Sequence, residues 1–496
     1  MEPCDLSATE ARRMIGAKKL SPVELMTSCI ARTEAVDHAV NAMPTRGFER
    51  ALEVAREQEA EVMRGDDLGA LHGLPIAIKD TNEAAGLRFT SGSPIFADRV
   101  PSSDERFVAL LRAAGGNIVG KTNVPEWAAG ANTRNPVLGT TGNPFDPTRS
   151  AAGSSGGSAV ALACGMVPLA SGSDTGGSLR NPAAFCGVVG FRPTTGLIPS
   201  EKRGAAWIQI SSLGPMARTV ADTALMVSVM VGDDTRDPLS PVVPGKVVRD
   251  GADYAVPPPV DLSRLRVAVT PDFGFAPTER RIAEVLREKV GLFSSAFRTL
   301  DEATPDCTGA DDCFAVLRAV SALANFGPLV RSHPDKVGPN IVDNVREGEG
   351  YSAQDVADAV TAQTEIYRRW QSFFTEYDIL LSPSVTISPR PWRELFPREI
   401  DGVPTRSYYH WLACAYAATI PGHPALSLPV GLDHAGLPFG LQVIGPRGGD
   451  AFTLGVAHAL ETLLADDPRT ARPIPNLGPL VSAPPIADME GFRTFD

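Results

Sequence analysis

Two clusters of serine and glycine, "AAGSSGGS" at 151–158 and "SGSDTGGS" at 171–178, enclose the apolar run "AVALACGMVPLA" at 159–170. A flexible Gly/Ser linker has no apolar content to bury, so this run argues against one. It is long enough for a buried helix that continues into a strand. The two clusters therefore punctuate ordered elements, and the chain must bury the segment between them.

Short apolar runs alternate with helical patterns along most of the chain. "LPIAIKD" at 74–80 and "GLPFGLQVIG" at 436–445 are typical of buried strands, whereas "TVADTALMVSVMVG" at 219–232 is typical of an amphipathic helix. The capping-box patterns "SATE" at 7–10 and "SPVE" at 21–24 predict the starts of two helices near the N-terminus. Apolar strands that alternate with helices favour an α/β fold whose sheet is covered on both faces.

Charge and cysteine content narrow the classes of function. The formal net charge of −12 argues against general binding to nucleic acid or to an anionic membrane surface. The start of the chain lacks the apolar segment of a signal peptide, and no apolar run approaches the ~18 residues that cross a bilayer. The seven cysteines are scattered without a CxxC pair, which favours reduced thiols and disfavours a zinc site. We expect a cytoplasmic protein without a metal site.

A phosphate-binding pattern occurs at 115–122, where "GGNIVGKT" places Lys121 and Thr122 in the positions that contact phosphate. Such a loop needs free backbone amides and a helix that starts at the lysine. Here residues 117–119 are typical of a strand, and Pro125 follows too closely for a helix to begin at Lys121. Nucleotide binding is therefore kept only as a remote alternative.

A second short motif, "GSSGG" at 153–157, would make Ser155 the nucleophile of an α/β-hydrolase. That motif requires a strand that runs directly into the turn. The preceding "NPFDPTRSAA" at 143–152 contains two prolines and little apolar pattern. These residues therefore disfavour an ordinary nucleophile elbow.

Three blocks occur in a fixed order: "GLPIAIKD" at 73–80, "AGSSGGSAV" at 152–160 and "GSDTGGSLRNPAAFCG" at 172–187. In order, spacing and flanking sequence they resemble the amidase signature family. The resemblance implies a single large fold, with a twisted mixed β-sheet covered on both faces by helices. It also implies an enzyme that hydrolyses a carboxamide bond without a metal or an organic cofactor.

The same resemblance implies a Ser–Ser–Lys triad, with Ser178 as the nucleophile, Ser154 as the bridging serine and Lys79 as the base. It further implies a cis peptide bond between Gly153 and Ser154. The residue types suit these roles, because a serine hydroxyl needs an adjacent base and a lysine becomes one when burial lowers its pKa. The apolar "PIAI" before Lys79 supplies such surroundings, and a serine hydroxyl can both accept and donate a proton.

The segment "DTGGS" at 174–178 is expected to form the oxyanion hole. Gly176 and Gly177 lack side chains, so the backbone N–H groups from Thr175 to Ser178 can converge on one oxygen. "LRNPAAFCG" at 179–187 predicts the start of a helix behind this turn. Three neighbours are expected to support the site, the last two as a structural ion pair: Ser155, Asp174 and Arg180.

The loop "PEWAAGANT" at 125–133 corresponds to a wall of the acyl pocket in the family. The predicted substrate-binding residues are Trp127, Ala128, Ala129 and Ala131, and Trp207 is a further candidate for apolar surface. Small side chains beside an indole favour a hydrophobic or aryl acyl group. The alternative that these alanines only pack a helix stays open.

We expect one domain over 1–496. Its predicted parts are N-terminal helices at 1–65, a catalytic core at 66–235, a variable capping region at 236–375, a sheet-completing part at 376–467 and a surface tail at 468–496. The capping region contains "CFAVLRAVSALANF" at 313–326, which is typical of a helix that covers a site.

The expected partner is a small-molecule amide substrate, bound by a monomer or homodimer that contacts neither nucleic acid nor a membrane. An alternative within the family is the amidase subunit of a tRNA-dependent amidotransferase. That subunit usually carries "S-L-D-Q-x-G-P" where this chain has "ISSLGPMAR" at 210–218, which favours a stand-alone hydrolase. A catalytically inactive binding protein is disfavoured because all three triad positions are filled.

Overall fold

The computed structural model describes residues 2–494, and an eleven-stranded sheet runs through its centre. The strands are β1 (Thr45–Arg46), β2 (Pro75–Lys79), β3 (Asn117–Thr122), β4 (Arg134–Asn135), β5 (Gly139–Thr140), β6 (Leu169–Asp174), β7 (Val189–Arg192), β8 (Ser212–Ala217), β9 (Arg266–Val269), β10 (Thr299–Glu302), β11 (Ile379–Pro383), β12 (Glu399–Ile400), β13 (Val403–Pro404), β14 (Ala425–Leu432) and β15 (Pro438–Ile444). The central sheet has the order β1-β3-β2-β6-β8-β7-β14-β15-β11-β9-β10, while β4 pairs with β5 and β12 with β13.

Helices cover this sheet. They are α1 (Ala8–Gly16), α2 (Pro22–Val40), α3 (Phe48–Arg64), α4 (Arg106–Ala113), α5 (Gly156–Ala163), α6 (Arg180–Cys186), α7 (Val220–Met230), α8 (Arg280–Phe293), α9 (Ala310–Ser332), α10 (Pro339–Gly350), α11 (Ala353–Glu376), α12 (Ala413–Thr419), α13 (Asp450–Leu464) and α14 (Gly478–Ser482).

The sheet is mixed and has two buried faces. β2 runs parallel to β3 and β6, whereas β14 and β15 form an antiparallel hairpin. Successive side chains of a strand point to opposite faces. Accordingly, Ala77 of β2 packs into one apolar cluster while Ile76 and Ile78 pack into another. The predicted α/β fold with a mixed sheet between helices is confirmed.

The apolar run between the two Ser/Gly clusters forms a helix and then a strand, as predicted. α5 is buried along its whole length, and β6 follows it after a short turn. Both Ser/Gly clusters thus lie at the ends of core elements: the first runs into the start of α5, and the second covers the end of β6 and the turn after it. The linker interpretation is wrong.

The predicted helix starts at the N-terminus are both present. Ser21 and Glu24 make a complete capping box at α2. At α1, the Ser7 side chain accepts a hydrogen bond from the Glu10 N–H, which supplies half of the predicted box. Each cap satisfies a backbone donor that the helix itself cannot.

α9, α10 and α11 pack together in the region predicted to cap the site. α9 (Ala310–Ser332) is long and apolar enough to cross a membrane by length and composition alone. The expectation that no segment approaches this length is therefore wrong. In the fold, α9 packs on α10 and α11 and lines the cavity described below. The division of the chain into five parts stays a prediction, and residues 1, 495 and 496 lie outside the described range.

A glycine in β7 allows α6 to lie directly on the sheet. A Cβ added to Gly190 would lie 2.4 Å from the Leu179 carbonyl oxygen. We therefore expect Gly190→Ala to destabilise the fold by about 1–3 kcal/mol through overpacking, measured as a lower Tm. Gly291→Ala is the matched control, because Gly291 lies in α8 with no atom near its added Cβ. Equal Tm values for the two variants would contradict this packing account.

Candidate active site

Lys79 ends β2 with a fully buried side chain. Its Nζ lies 2.7 Å from Ser154 Oγ and 2.9 Å from the Oγ atoms of both Ser155 and Ser173. Three oxygens match the three N–H donors of an ammonium group, whereas a neutral amine can accept a proton from one of the hydroxyls. The arrangement therefore allows Lys79 to exchange a proton with a serine without moving.

Burial shifts the charge state of this lysine. Removal from water lowers the pKa of Lys79 from 10.5 to about 7, while the Asp174 carboxylate acts in the opposite direction. A substantial fraction of the amine is thus neutral near pH 7. A neutral buried amine beside hydroxyl groups is a candidate general base.

The first serine cluster approaches Lys79 through a tightly packed backbone. The peptide bond between Gly153 and Ser154 is cis, as the resemblance implies. A Cβ added to Gly157 would lie 2.3 Å from a backbone nitrogen, so only glycine fits there without a shift of the chain. α5 begins immediately after Ser155, which places both hydroxyls at the start of a buried helix.

Ser178 lies between β6 and α6 and faces a cavity. The Ser155 N–H donates to the Ser178 carbonyl oxygen at 3.2 Å, which joins the two serine-containing loops. Lys79 contacts Ser154 directly, and Ser178 is on the adjoining loop. The structure thus brings the three residues of the predicted triad into one region of the fold.

The backbone amides around Ser178 differ in their partners. The Gly177 N–H donates to Asp174 Oδ1 at 2.9 Å. It is therefore not one of the N–H groups that converge on the oxygen of a bound substrate, contrary to the prediction for it. Within residues 2–494, the N–H groups of Thr175, Gly176 and Ser178 have no protein acceptor. These three amides stay available to an oxygen of a bound molecule.

Asp174 and Arg180 form a fully buried ion pair with a 2.8 Å contact. The Leu179 N–H also donates to the Asp174 carboxylate, and Arg192 Nη1 donates to the Asp174 carbonyl oxygen at 2.6 Å. Burial opposes ionisation of Asp174, but the charges and hydrogen bonds of the two arginines outweigh it and hold its pKa below the usual range. The pair fixes the turn that carries Ser178, in keeping with the structural role predicted for it.

Ser178 opens onto a cavity of about 440 Å³. One wall is aromatic: the Trp127 ring stacks on Phe326 with centroids 4.9 Å apart. Phe314 approaches the turn at 174–178 that carries Ser178, here called the serine turn, since a Cβ added to Gly176 would lie 3.0 Å from the Phe314 Cζ. The cavity therefore connects the serine turn to an apolar space that is lined by aromatic rings.

The predicted substrate-binding residues fall into two groups. Trp127, Ala128 and Ala129 line the cavity. Ala131 packs in the core instead, and the Trp207 side chain is 76% exposed. Neither of these two belongs to the cavity wall, because the first loop leaves the cavity after Gly130 and because the loop around Trp207 contributes other residues.

Several residues of the site were missed in the sequence. Ser173 could have been found, because it lies two residues after Ser171 in β6 and therefore on the same face of the strand. Both hydroxyls contact Lys79: Ser173 accepts from its Nζ, and Ser171 accepts from its backbone N–H. Phe314 and Phe326 lie on α9, which carries no local motif. Only the packing of α9 over the serine turn reveals them.

Lys121 and Thr122 do not form a phosphate-binding loop. Both lie within β3 and are fully buried. Lys121 Nζ pairs with Asp80 at 2.9 Å, and Thr122 Oγ1 lies 2.7 Å from Ser158 Oγ. The strand predicted at this position is present, and it removes the nucleotide-binding alternative.

Metal ligands were not expected from the sequence. Across residues 2–494, no group of three or more His, Cys, Asp or Glu side chains is arranged to hold a metal ion. All seven cysteines are buried free thiols.

The sequence of this chain is similar to those of known amidases and related proteins. The sequence model of the family described as Amidase matches residues 24–454. An acylamidase of Rhodococcus erythropolis is 34% identical over 92% of this chain and 95% of its own length. A Glutamyl-tRNA(Gln) amidotransferase subunit of Carboxydothermus hydrogenoformans is 32% identical over 93% of this chain and 98% of its own.

The fold of this chain is also similar to those of solved structures. A bacterial aryl acylamidase of the amidase signature family superposes with a TM-score of 0.84 and 26% identity, over 92% of this chain and 96% of that one. A 6-aminohexanoate cyclic dimer hydrolase gives a TM-score of 0.79 with 26% identity, over 94% and 98% of the two chains.

The shifted pKa of Lys79 predicts how Ser178 reacts with a fluorophosphonate. Only the neutral amine can accept the serine proton, so the labelling rate should rise about tenfold per pH unit below pH 7 and level off above it. The rate is measured by intact mass between pH 5 and pH 9, with Ser178→Ala as the control that takes no label. A labelling rate independent of pH over this range would contradict the role of Lys79.

Proposed function

We propose that this chain, which belongs to the amidase family, acts through an acyl-enzyme formed on Ser178. It is a hydrolase of carbon–nitrogen bonds in linear amides. The observation that carries the proposal is the contact of 2.7 Å between the buried Lys79 amine and the Ser154 hydroxyl. A lysine of lowered pKa next to a serine supplies the base that a second serine needs.

In the proposed acylation step, Ser178 Oγ attacks the amide carbonyl carbon. Its proton moves to Ser154 Oγ, while the Ser154 proton moves to the neutral Nζ of Lys79. The carbon–nitrogen bond then breaks, and the same relay returns a proton to the leaving nitrogen. Ammonia or an amine departs, and water hydrolyses the ester on Ser178 by the same proton path.

The negative charge on the carbonyl oxygen requires donors that are already in place. The amides of Thr175, Gly176 and Ser178 supply them in this proposal. Gly177 contributes indirectly, since its own N–H and the Asp174 carboxylate hold the turn. Preorganised backbone donors stabilise such an oxyanion at little reorganisation cost.

The proposed substrate is an amide with a hydrophobic or aryl acyl group. The support is the aromatic wall of the cavity, where Trp127 stacks on Phe326 and Phe314 approaches the serine turn. Similarity to an acylamidase and to an aryl acylamidase points in the same direction. We also propose that the protein works in the cytoplasm as a monomer or homodimer, without nucleic acid or membrane partners.

Sequence similarity also favours the amidotransferase alternative, since a subunit of that complex is 32% identical to this chain. The segment 210–218 departs from the pattern of that component. Hydrolysis of amides by the purified chain alone separates the two, since a stand-alone hydrolase needs no partner protein.

Removal of either end of the proton relay should abolish turnover. We expect Ser178→Ala and Lys79→Ala each to lower kcat on benzamide by roughly 10⁴-fold or more, because the serine loses its nucleophile or its base. Ammonia release measures the rate, and unchanged Tm values exclude unfolding. Lys79→Met, which keeps most of the buried side chain and removes only the amine, is the control for the packing lost in Lys79→Ala and should be equally inactive. An active Lys79→Ala enzyme at neutral pH would contradict the relay.

A further inference from the structure

The ring-lined wall of the cavity contains a small polar cluster. It consists of Arg318 on α9, Asn344 on α10 and Tyr408 in the segment before α12, and all three line the cavity. Arg318 and Asn344 are buried, whereas Tyr408 is partly exposed. Polar groups in an apolar wall must satisfy one another or a bound molecule.

The Tyr408 hydroxyl has an incomplete set of hydrogen bonds. Its oxygen accepts from Asn344 Nδ2 at 3.0 Å and from Arg318 Nη1 at 3.4 Å. Its own hydrogen has no acceptor among residues 2–494. Since both neighbours donate to the oxygen, the hydroxyl hydrogen must point elsewhere. Because Tyr408 lines the cavity, a molecule bound there can accept a hydrogen bond from this hydroxyl.

Arg318 holds this hydroxyl in place. Its guanidinium lies 3.8 Å from the centroid of the Tyr409 ring, and it pairs with Glu347, which also accepts from the Tyr409 and Tyr351 hydroxyls. A cationic donor on the Tyr408 oxygen polarises its O–H bond and strengthens the donor. The cluster is thus preorganised to donate one hydrogen bond.

Aromatic contacts connect this donor to the reactive turn. Phe314 lies next to Gly176 and packs edge-on against Tyr409, with centroids 6.0 Å apart. Tyr409 in turn packs edge-on against Tyr408 at 5.5 Å. The cavity wall between this turn and Tyr408 is therefore a run of aromatic rings, against which an aromatic acyl group can pack.

We propose that Tyr408 is a specificity-determining residue, which donates a hydrogen bond to an acceptor atom on the acyl part of the substrate. This inference rests on the proposed aromatic acyl specificity. It narrows the substrate class to amides of aromatic acids that carry an ether, carbonyl or similar oxygen away from the scissile bond. An aromatic acyl group without such an oxygen would leave the Tyr408 hydrogen unpaired.

The test compares matched substrates that differ in one oxygen. We would measure kcat/KM for the 3- and 4-methoxybenzamides and for the 3- and 4-ethylbenzamides, which have nearly the same shape. At one ring position at least, the methoxy-to-ethyl ratio of kcat/KM should fall by roughly five- to tenfold in Tyr408→Phe, the loss expected for one hydrogen bond. The ratio cancels any general loss of activity.

Tyr351→Phe is the matched control. It removes a hydroxyl that donates to Glu347 in the same network but does not line the cavity, so the ratio should not change. Equal ratios in the wild-type and Tyr408→Phe proteins at both ring positions would overturn the inference, as would an equal fall in Tyr351→Phe. Wild-type protein that hydrolyses none of the four amides would instead contradict the proposed aromatic specificity, and this inference with it.

Discussion

The active site of this protein depends on the burial of the Lys79 amine. Lys79 is placed at the end of a central strand, with no access to water, and its Nζ is surrounded by the hydroxyls of Ser154, Ser155 and Ser173. Burial of an ammonium without a directly paired carboxylate is costly, and the cost appears as a lowered pKa. The fold that tolerates this residue gains a base that is neutral near pH 7.

The contrast with Lys121 shows how position decides the role of a buried lysine. Lys121 is just as buried, but its Nζ pairs with Asp80 and with the Asn82 carbonyl oxygen. Burial lowers the pKa of Lys121 as well, but the Asp80 carboxylate in contact with its Nζ opposes that shift and favours the ammonium form. Lys79 has hydroxyls in that place, and Asp174, the carboxylate that favours its ammonium form, is paired with Arg180. One lysine thus ties the strands together, and the other is free to exchange a proton.

In the turn at 174–178, too, the groups that hold the structure differ from those that face the cavity. Asp174 takes hydrogen bonds from Gly177 and Leu179, and Arg180 extends the network to Gln442 on β15. The turn that carries Ser178 is therefore fixed to the sheet by groups that do not reach the cavity. That rigidity leaves neighbouring amides without protein partners, which is what an oxyanion site requires.

Much of the fold could be predicted from the sequence because it depends on local pattern, whereas the centre of the site was predicted from the resemblance of three sequence blocks to the amidase signature family. The alternation of apolar strands and helices predicts the α/β class, and the Ser/Gly clusters around a buried run mark the turns that hold Ser154 and Ser178. A helix that covers the site was predicted at 313–326, but the cavity wall was not, since Phe314 and Phe326 of α9 line the cavity together with Trp127 and Tyr408 from distant segments. This arrangement depends on how α9 packs against loops far away in the chain, which no local motif encodes.

The proposed mechanism requires Lys79 to lose its proton near neutral pH. With lysine labelled by ¹³C at Cε, an NMR titration of the protein can follow this directly, because the chain has only eight lysines and Lys79→Met assigns the resonance. We expect a Lys79 midpoint near pH 7. A midpoint near the ordinary lysine value of 10.5 would contradict it, since the amine would then be an ammonium at the pH where the enzyme must act.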